Sequence, residues 1–541
     1  MSKRKHSSLK MDTADDSGSL TAQVRQWEAN VQSSQQNLND IVEIFGVAKS
    51  ADPEASFVAI NSLGKIYGAL WTKGLMSPVG DASQDPAAAK VSAWLQNNYS
   101  QYTSHLLGLL RHSEAALQVA ALKLLMQMLE KESMAGSAKK PYEFPNASFT
   151  KLIDAVLSND AASEHLLRVL ADSFLNMYDD LRLHFHRSVA KIGASKYDRN
   201  TKIGRMAVEG SAEAASMQVF VRNTFTMLSS IRVMPKKAVA ELDSFWIPVT
   251  EDAADAKSPV TDPKAYRRAH SDAWLLLMRL PLTVEIFKQI LLTIHRRIIP
   301  YMPDPRSLMD FLTHAYDAGG SISLLALNGL FTLITDHNLN YPMFYEKLYA
   351  LLDRNLFHVK YRARFFRLFD IFLRSSHLPA YLIAAFIKRI SRLALSAPPS
   401  GAVIVIPVVY NLLKAHPRCM VLIHRMPGYD EETGEETVLS SNDPYLPDEP
   451  DLAKCMAMQS SLWELETLQH HFYGNISTLA RIFSEPFHKP AFVLEDFLDH
   501  TYTTFFESDT AKKLKKPAAL STQPPTTLLR AGDALSDFLA F

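Results

Sequence analysis

Along the chain, apolar residues recur three and four positions apart in segments of 12 to 22 residues, and two-residue alternation is scarce. That spacing lines one face of an α-helix. "FVAINSLGKIYGALW" (57–71), "EAALQVAALKLLMQMLE" (114–130), "SISLLALNGLFTLITD" (321–336) and "VKYRARFFRLFDIFL" (359–373) are typical. Each sets small residues beside large aliphatic ones and so needs partners on more than one side. Stacked helical hairpins provide them. The expected fold class is all-α, an irregular HEAT-like α-solenoid. No strict repeat at the HEAT period of roughly 40–47 residues emerges, so a compact non-repetitive helical bundle stands as the alternative.

Interruptions of the pattern divide the chain. Residues 1–18 are polar and without periodicity, which reads as a disordered arm. A helical region over 19–247 ends at a Pro- and acid-rich linker, 248–263, taken as the main boundary. A second helical region covers 264–425, followed by an acidic loop at 426–450, further helices within 451–507 and a tail, 508–541. In the 451–507 part, 461–483 and 491–507 each read as an amphipathic helix. Lesser breaks fall at 78–88, 132–146 and 190–212.

Composition narrows the function classes. With 541 residues, 47% of them hydrophobic, the chain has room for more than one core. The longest apolar run, Ala402–Tyr410, falls well short of the roughly 20 residues that cross a bilayer and contains Pro407, so no membrane span is expected. Two cysteines cannot build a disulfide framework, which suits a reducing compartment. Lys3–Lys5 and "KKLKK" (512–516) are candidate nuclear import signals. The net charge of zero hides a segregation: twelve Lys/Arg against one acid from Arg354 to Arg425, then nine Asp/Glu and no Lys/Arg from Met426 to Asp451.

No phosphate-binding loop, dinucleotide fingerprint, nucleophile elbow or HExxH occurs. His184 with His186, and His470 with His471, stand one or two residues apart, a spacing that does not converge on one ion along a helix. Cys419 lies near His416 but lacks an oriented base and an oxyanion site, so it reads as a buried small hydrophobe. The expectation is a non-enzyme with no cofactor, metal or small-molecule substrate.

The densest pattern is "LNYPMFYEKLYALLDRNLFHVKYRARFFRLFDIFL" (339–373). Pro342 suits a first helical turn. After it Phe344 and Leu348 fall on one core-facing stripe, with Tyr341 at the entry. In the following helix Phe365 and Phe369 belong to a broad apolar face, while Lys360, Arg364, Arg367 and Arg374 gather on the opposite side. Arg362 falls inside the apolar arc, where a guanidinium must be paired, and an ion pair with an acid is expected. Lys388, Arg389 and Arg392 in "IKRISR" extend the basic face. The stripe is a solvated surface, an electrostatic footprint for phosphates or an acidic polypeptide, or a surface neutralised by the acidic loop that follows. Any RNA contact would be to the backbone, since no base-stacking module accompanies it.

Residues 327–425 resemble the CCAAT-binding-factor domain of the Noc family through "YPMFYEKLYALL", "KYRARFF", "HLPAYLIAAFIKRI", "ALSAPPSGA" and "NLLKAHPRC" in combination. Downstream, "SLWELETLQHHFYGNISTLARIF" and "KPAFVLEDFLDHTYTTFFE" are similar to the family's C-terminal portion. The resemblance implies a non-catalytic nucleolar α-solenoid with a helical domain of CCAAT-binding-factor type. It also implies stable pairing with nucleolar protein 14 and action in the small-subunit processome, in pre-rRNA processing and 40S maturation. Two other readings are a CCAAT-element transcription factor, for which no recognition element appears, and a karyopherin-like transport adaptor.

Overall fold

The computed structural model describes residues 12–50, 52–76, 86–137, 142–202, 212–232, 242, 244–248, 259–339, 341, 344–359, 361–424 and 442–513. Among them every regular element is helical, as the spacing predicts. Two compact units divide between Asn340 and Tyr341.

The first unit contains α1 (Asp12–Ser33), α2 (Asp40–Ala48), α3 (Pro53–Thr72), α4 (Pro86–Leu109), α5 (Ala115–Ser137), α6 (Asn146–Leu157) and α7 (Glu164–Leu170). It continues with α8 (Asp179–Lys202), α9 (Ala212–Ser230), α10 (Pro263–Arg279), α11 (Val284–Thr293), α12 (Met309–Asp317) and α13 (Gly320–His337). Helix starts follow sequence signals: Asp52 accepts from Glu54 N–H ahead of Pro53, Ser163 from Leu166 N–H and Thr283 from Ile286 N–H. Each helix packs on helices one to three places along the chain, α3 on α1, α2 and α5, α5 on α7, α8 on α6 and α10. That is solenoid packing. Buried amides stitch the layers: Gln118 Nε2 donates to the carbonyls of His112 and Ala161, and its Oε1 accepts from Ser163 N–H.

Three expectations change here. The polar arm gives way to helix at Asp12, inside the 1–18 stretch. The break over 190–212 is helix as far as Lys202. Gly193, which looked like punctuation, is a close approach: a Cβ there would sit 2.1 Å from Leu276 Cδ2 of α10. The same α8–α10 contact, the most extensive between any two described helices, spans the 248–263 stretch. Helices from both sides of that stretch therefore share one unit, and the compact units part at 340/341 instead. Residues 249–258 of the stretch lie outside the described ones.

The second unit holds α14 (Phe344–Ala350), α15 (Arg362–Leu373), α16 (Ala380–Ala394), α17 (Pro399–Ala415), α18 (Trp463–Gln469), α19 (Gly474–Ala480), α20 (Glu495–Leu498) and α21 (Tyr502–Ala511). α17 is buried from Ser400 to Tyr410 and runs through Pro407 without a break. Gly401 lets it approach Phe357, whose ring would lie 2.8 Å from an added Cβ. The helices expected over 461–483 and 491–507 occur in pieces. His471 Nδ1 accepts from Tyr473 N–H and turns the chain before α19, and a Thr501–Thr504 capping box starts α21 afresh. α21 continues to Ala511, into the expected tail, and residues 514–541 lie outside the described ones. No described helix is long and apolar enough to cross a membrane.

Candidate interaction surface

The aromatic rows of 339–373 go where their spacing puts them. Phe344, Leu348, Phe365 and Phe369 are buried. Phe344 meets Phe372 edge to face at 5.3 Å, and Phe369 and Tyr349 both meet Phe386 of α16, at 5.6 and 5.5 Å. Tyr341 is half-buried and accepts from Lys347 Nζ at 2.6 Å. Pro342 lies outside the described residues.

Arg362 is held inside the fold, but not by an acid. Its Nη1 donates to Phe357 O at 3.2 Å and its Nη2 to His500 O at 2.6 Å. Among the described residues it forms no ion pair. Two carbonyls left over at chain turns take the place of the expected carboxylate.

The basic stripe does not exist as one open face. Lys360 lies outside the described residues, and Arg364 is half-buried with interactions of its own. Arg367 clamps Glu495 of α20 with two short bonds, Nε to Oε1 at 2.7 Å and Nη2 to Oε2 at 2.6 Å, with Asp499 at 3.7 Å. That hydrogen bonding raises its pKa above the ordinary guanidinium value. Arg374 pairs with Asp370 one turn back, at 2.5 Å. Arg389 donates to Leu352 O and Pro447 O, and its guanidinium lies 4.4 Å over the Tyr349 ring.

Lys388 departs furthest from expectation, because it is wholly buried. α16 is covered on nearly every side, from Leu382 to Lys388 and again at Ile390 and Ser391, so the opposite face of its helical wheel is interior too. The ammonium lies 2.6 Å from Glu464, 2.9 Å from Asp443 and 2.7 Å from Ser461 O. Trp463 and Tyr445 rings stand beside it at 5.3 and 5.8 Å. Glu464 is wholly buried and its pKa is raised by that burial. Burial pushes Asp443 upward as well, but hydrogen bonds from Ser460, Lys388 and Trp463 outweigh it and hold the carboxyl well below its ordinary range. Arg392, partly exposed, comes within 3.6 Å of Asp443.

Of the three readings of the stripe, internal neutralisation thus describes Lys388 and Arg367. Asp443 belongs to the expected acidic loop, whereas Glu464 and Glu495 come from helices beyond it. Residues 425–441 of the loop lie outside the described ones, and 442–450 are built into this cluster rather than solvated as a whole.

The first unit has a polar centre that composition did not signal. Asp180 accepts N–H bonds from Leu181, Trp246 and Ile247 at 2.8, 2.9 and 3.1 Å, while burial raises its pKa against them. Asp179 pairs with buried Arg182 at 3.0 Å. His184 stacks on Phe144 at 3.7 Å, and His186 Nδ1 lies 2.7 Å from Arg182 O. His270 of α10 approaches His186 at 3.4 Å. Burial pulls His184 down to about 3, His186 down to about 4 and His270 well below the ordinary imidazole value. These imidazoles are neutral packing groups. No described cluster of His, Cys, Asp and Glu has the arrangement of a metal site. Cys419 is buried, its thiol pushed up to about 11 by desolvation.

Comparison with known proteins covers both units. Residues 12–198 match the family model described as "Nucleolar complex protein 4-like, TPR repeats", and residues 323–480 match the CBF/Mak21 family. The repeats of the first unit are thus classed with TPR hairpins rather than HEAT ones. A protein of Schizosaccharomyces pombe is 39% identical over 91% of this chain and 96% of its own length. The mouse nucleolar complex protein 4 homolog is 35% identical over 93% of this chain and 95% of its own length. For the human homolog the figures are 35%, 92% and 93%.

Proposed function

Because the chain belongs to the nucleolar complex protein 4 family, we propose that it is a nucleolar ribosome-biogenesis factor without catalytic activity, acting in the small-subunit processome. In that role it pairs with nucleolar protein 14 and supports pre-rRNA processing and 40S maturation. The observation that carries this reading is likeness to nucleolar complex protein 4 homologs over more than nine-tenths of the chain, through both helical units. The geometry supports it. Buried charge serves packing, and the described surface is that of stacked helices suited to holding other macromolecules.

Contact with pre-rRNA is confined by the same geometry. Arg374, Arg392 and Arg418 remain exposed in the second unit, so any RNA contact there is to phosphates and shallow. A CCAAT-reading transcription factor has less support, since Lys388 and Arg389 of "IKRISR" are spent on Glu464, Asp443 and carbonyl oxygens.

Depletion of the protein is expected to lower 18S rRNA and spare 25S/28S rRNA, read by northern blot of pre-rRNA and mature rRNA. Unchanged 18S rRNA overturns the proposal. Purification of the tagged chain is expected to bring nucleolar protein 14 in stoichiometric amount.

A further inference from the structure

α21 is a helix that is positioned with care and then left uncovered. Its entry is fixed by Arg362, which holds His500 O at 2.6 Å, and by the Thr501–Thr504 capping box. Its Phe505 ring stacks on His500 at 5.3 Å and meets Tyr473 at 5.4 Å. Yet no residue of α21 is buried. A ten-residue helix is marginal in water without packing on an apolar face.

The uncovered side chains are large and apolar. Phe506 is 71% exposed and Tyr502, one turn earlier on the same face, 62%. Phe472, next in the chain to Tyr473, is 85% exposed. Exposed aromatics gathered at one place mark an interaction site, whereas single ones scattered over a surface do not.

Charge selects the occupant. Residues 490–511 carry five acids, Glu495, Asp496, Asp499, Glu507 and Asp509, and no Lys or Arg. Arg367 takes up Glu495, and Lys512 lies 2.9 Å from Asp509. Asp496 and Glu507 have no ion-pair partner among the described residues, and Asp499 is reached only by Arg367, at 3.7 Å. A polyphosphate or an anionic lipid surface is repelled here. A second copy across a twofold axis brings like charges together. A protein helix with an apolar stripe flanked by Lys and Arg satisfies both rings and carboxylates.

We propose that α21 and the Phe472 turn form a docking surface for a cationic amphipathic helix of another protein. Phe472, Tyr502 and Phe506 are its apolar anchors and Asp496, Asp499 and Glu507 its acidic rim. The inference rests on the reading of the chain as an assembly factor.

Photo-crosslinking in cells tests it, with benzoylphenylalanine replacing Phe506 or Phe472 in the full-length chain. The expected product joins either position to one protein, within a segment whose Lys and Arg flank an apolar helical stripe. That segment, made as a synthetic peptide, is expected to bind the full-length chain. It should bind the Phe472→Ala/Phe506→Ala variant at least tenfold more weakly, with thermal midpoint unchanged. Asp496→Lys/Glu507→Lys is expected to weaken binding most at low salt. Crosslinks to RNA, to a second copy or to an acidic segment, an absence of crosslinks, or equal affinity of wild type and variants overturns the docking surface. If 18S rRNA still falls on depletion, that failure belongs to the surface alone. Specific crosslinks with 18S rRNA unchanged count against the assembly reading alone.

Discussion

Each unit buries a polar centre, and the two are satisfied in opposite ways. In the first, Asp180 is answered by backbone N–H groups of Leu181, Trp246 and Ile247, and the histidines around it give up their charge. In the second, Lys388 keeps two carboxylates within 3 Å, and the acids come from chain 55 residues or more beyond it. Backbone amides cannot be withdrawn by a single substitution, whereas a side-chain ion network can. The first centre fixes a local segment; the second binds distant helices of the CBF/Mak21 region and fails if one member goes.

The largest expected effect follows from that asymmetry. Lys388→Met strands Glu464 as an uncompensated buried charge, a loss of about 3–5 kcal/mol for breaking a pair of this kind. Chemical denaturation of the purified chain should show it. Lys388→Met/Glu464→Leu is expected to recover most of the loss, because the ion is then replaced by apolar packing. A double variant no better than the single one would mean that the network, not the stranded charge, carries the stability.

Acid separates the two centres next. The folded-state pKa values of His184 and His186 are depressed, so the unfolded chain binds protons first once the pH falls below about 6.5. Their contribution is full above that value and is lost toward about 3 for His184 and about 4 for His186. At pH 5 the cost is roughly 2 kcal/mol for each of the two. In the second unit the signs oppose. Asp443, depressed, loses its contribution only as the pH falls below the ordinary carboxylate range, while Glu464, raised, is relieved by protonation. Hydrogen exchange at pH 7 and pH 5 should therefore show faster exchange in α8 and α10 and little change in α16 and α18. Equal change in both units would erase the contrast.

Arg362 tests a smaller version of the backbone strategy inside the second unit. Arg362→Met removes donors from Phe357 O and His500 O, about 1–2 kcal/mol for charged donors to carbonyls. The loss should appear as faster exchange in α21 with α15 intact. If α15 loosens first, Arg362 serves its own helix rather than the entry to α21.

The two centres also mark where sequence reading runs out. Periodicity located α3, α5, α13 and α15 because burial of a face recurs every 3.6 residues, and it placed Phe344, Leu348, Phe365 and Phe369 in the core. The resemblance carried by 327–425 falls largely within the matched CBF/Mak21 region. A helical wheel has no term for coverage on the opposite side, so it put Lys388 on a surface when a segment 55–76 residues away closes over it. The pairing of Arg362 with carbonyls was illegible for a related reason: which turns leave an oxygen unsatisfied is set by tertiary structure. Asp180 and the histidines gave no signal beyond an HxH spacing, since their partners, Trp246, Ile247 and His270, come from far along the chain.

The smallest expected effect lies on the remnant of the basic stripe. Arg374 and Asp370 are spaced like any exposed helical pair, with Arg374 open to solvent, so Arg374→Ala is expected to cost only about 0.3–0.5 kcal/mol, less at high salt. Thermal melts at low and high ionic strength read it. Arg367→Ala should cost more, up to about 1 kcal/mol, because its bidentate clamp joins α15 to α20 across the fold instead of one turn of the same helix. If the order is reversed, Arg374 has a partner in the folded chain that its geometry does not display. If the order holds, Arg374 can be reversed to Glu to probe phosphate contact without disturbing the fold, a use for which Lys388 is unsuited.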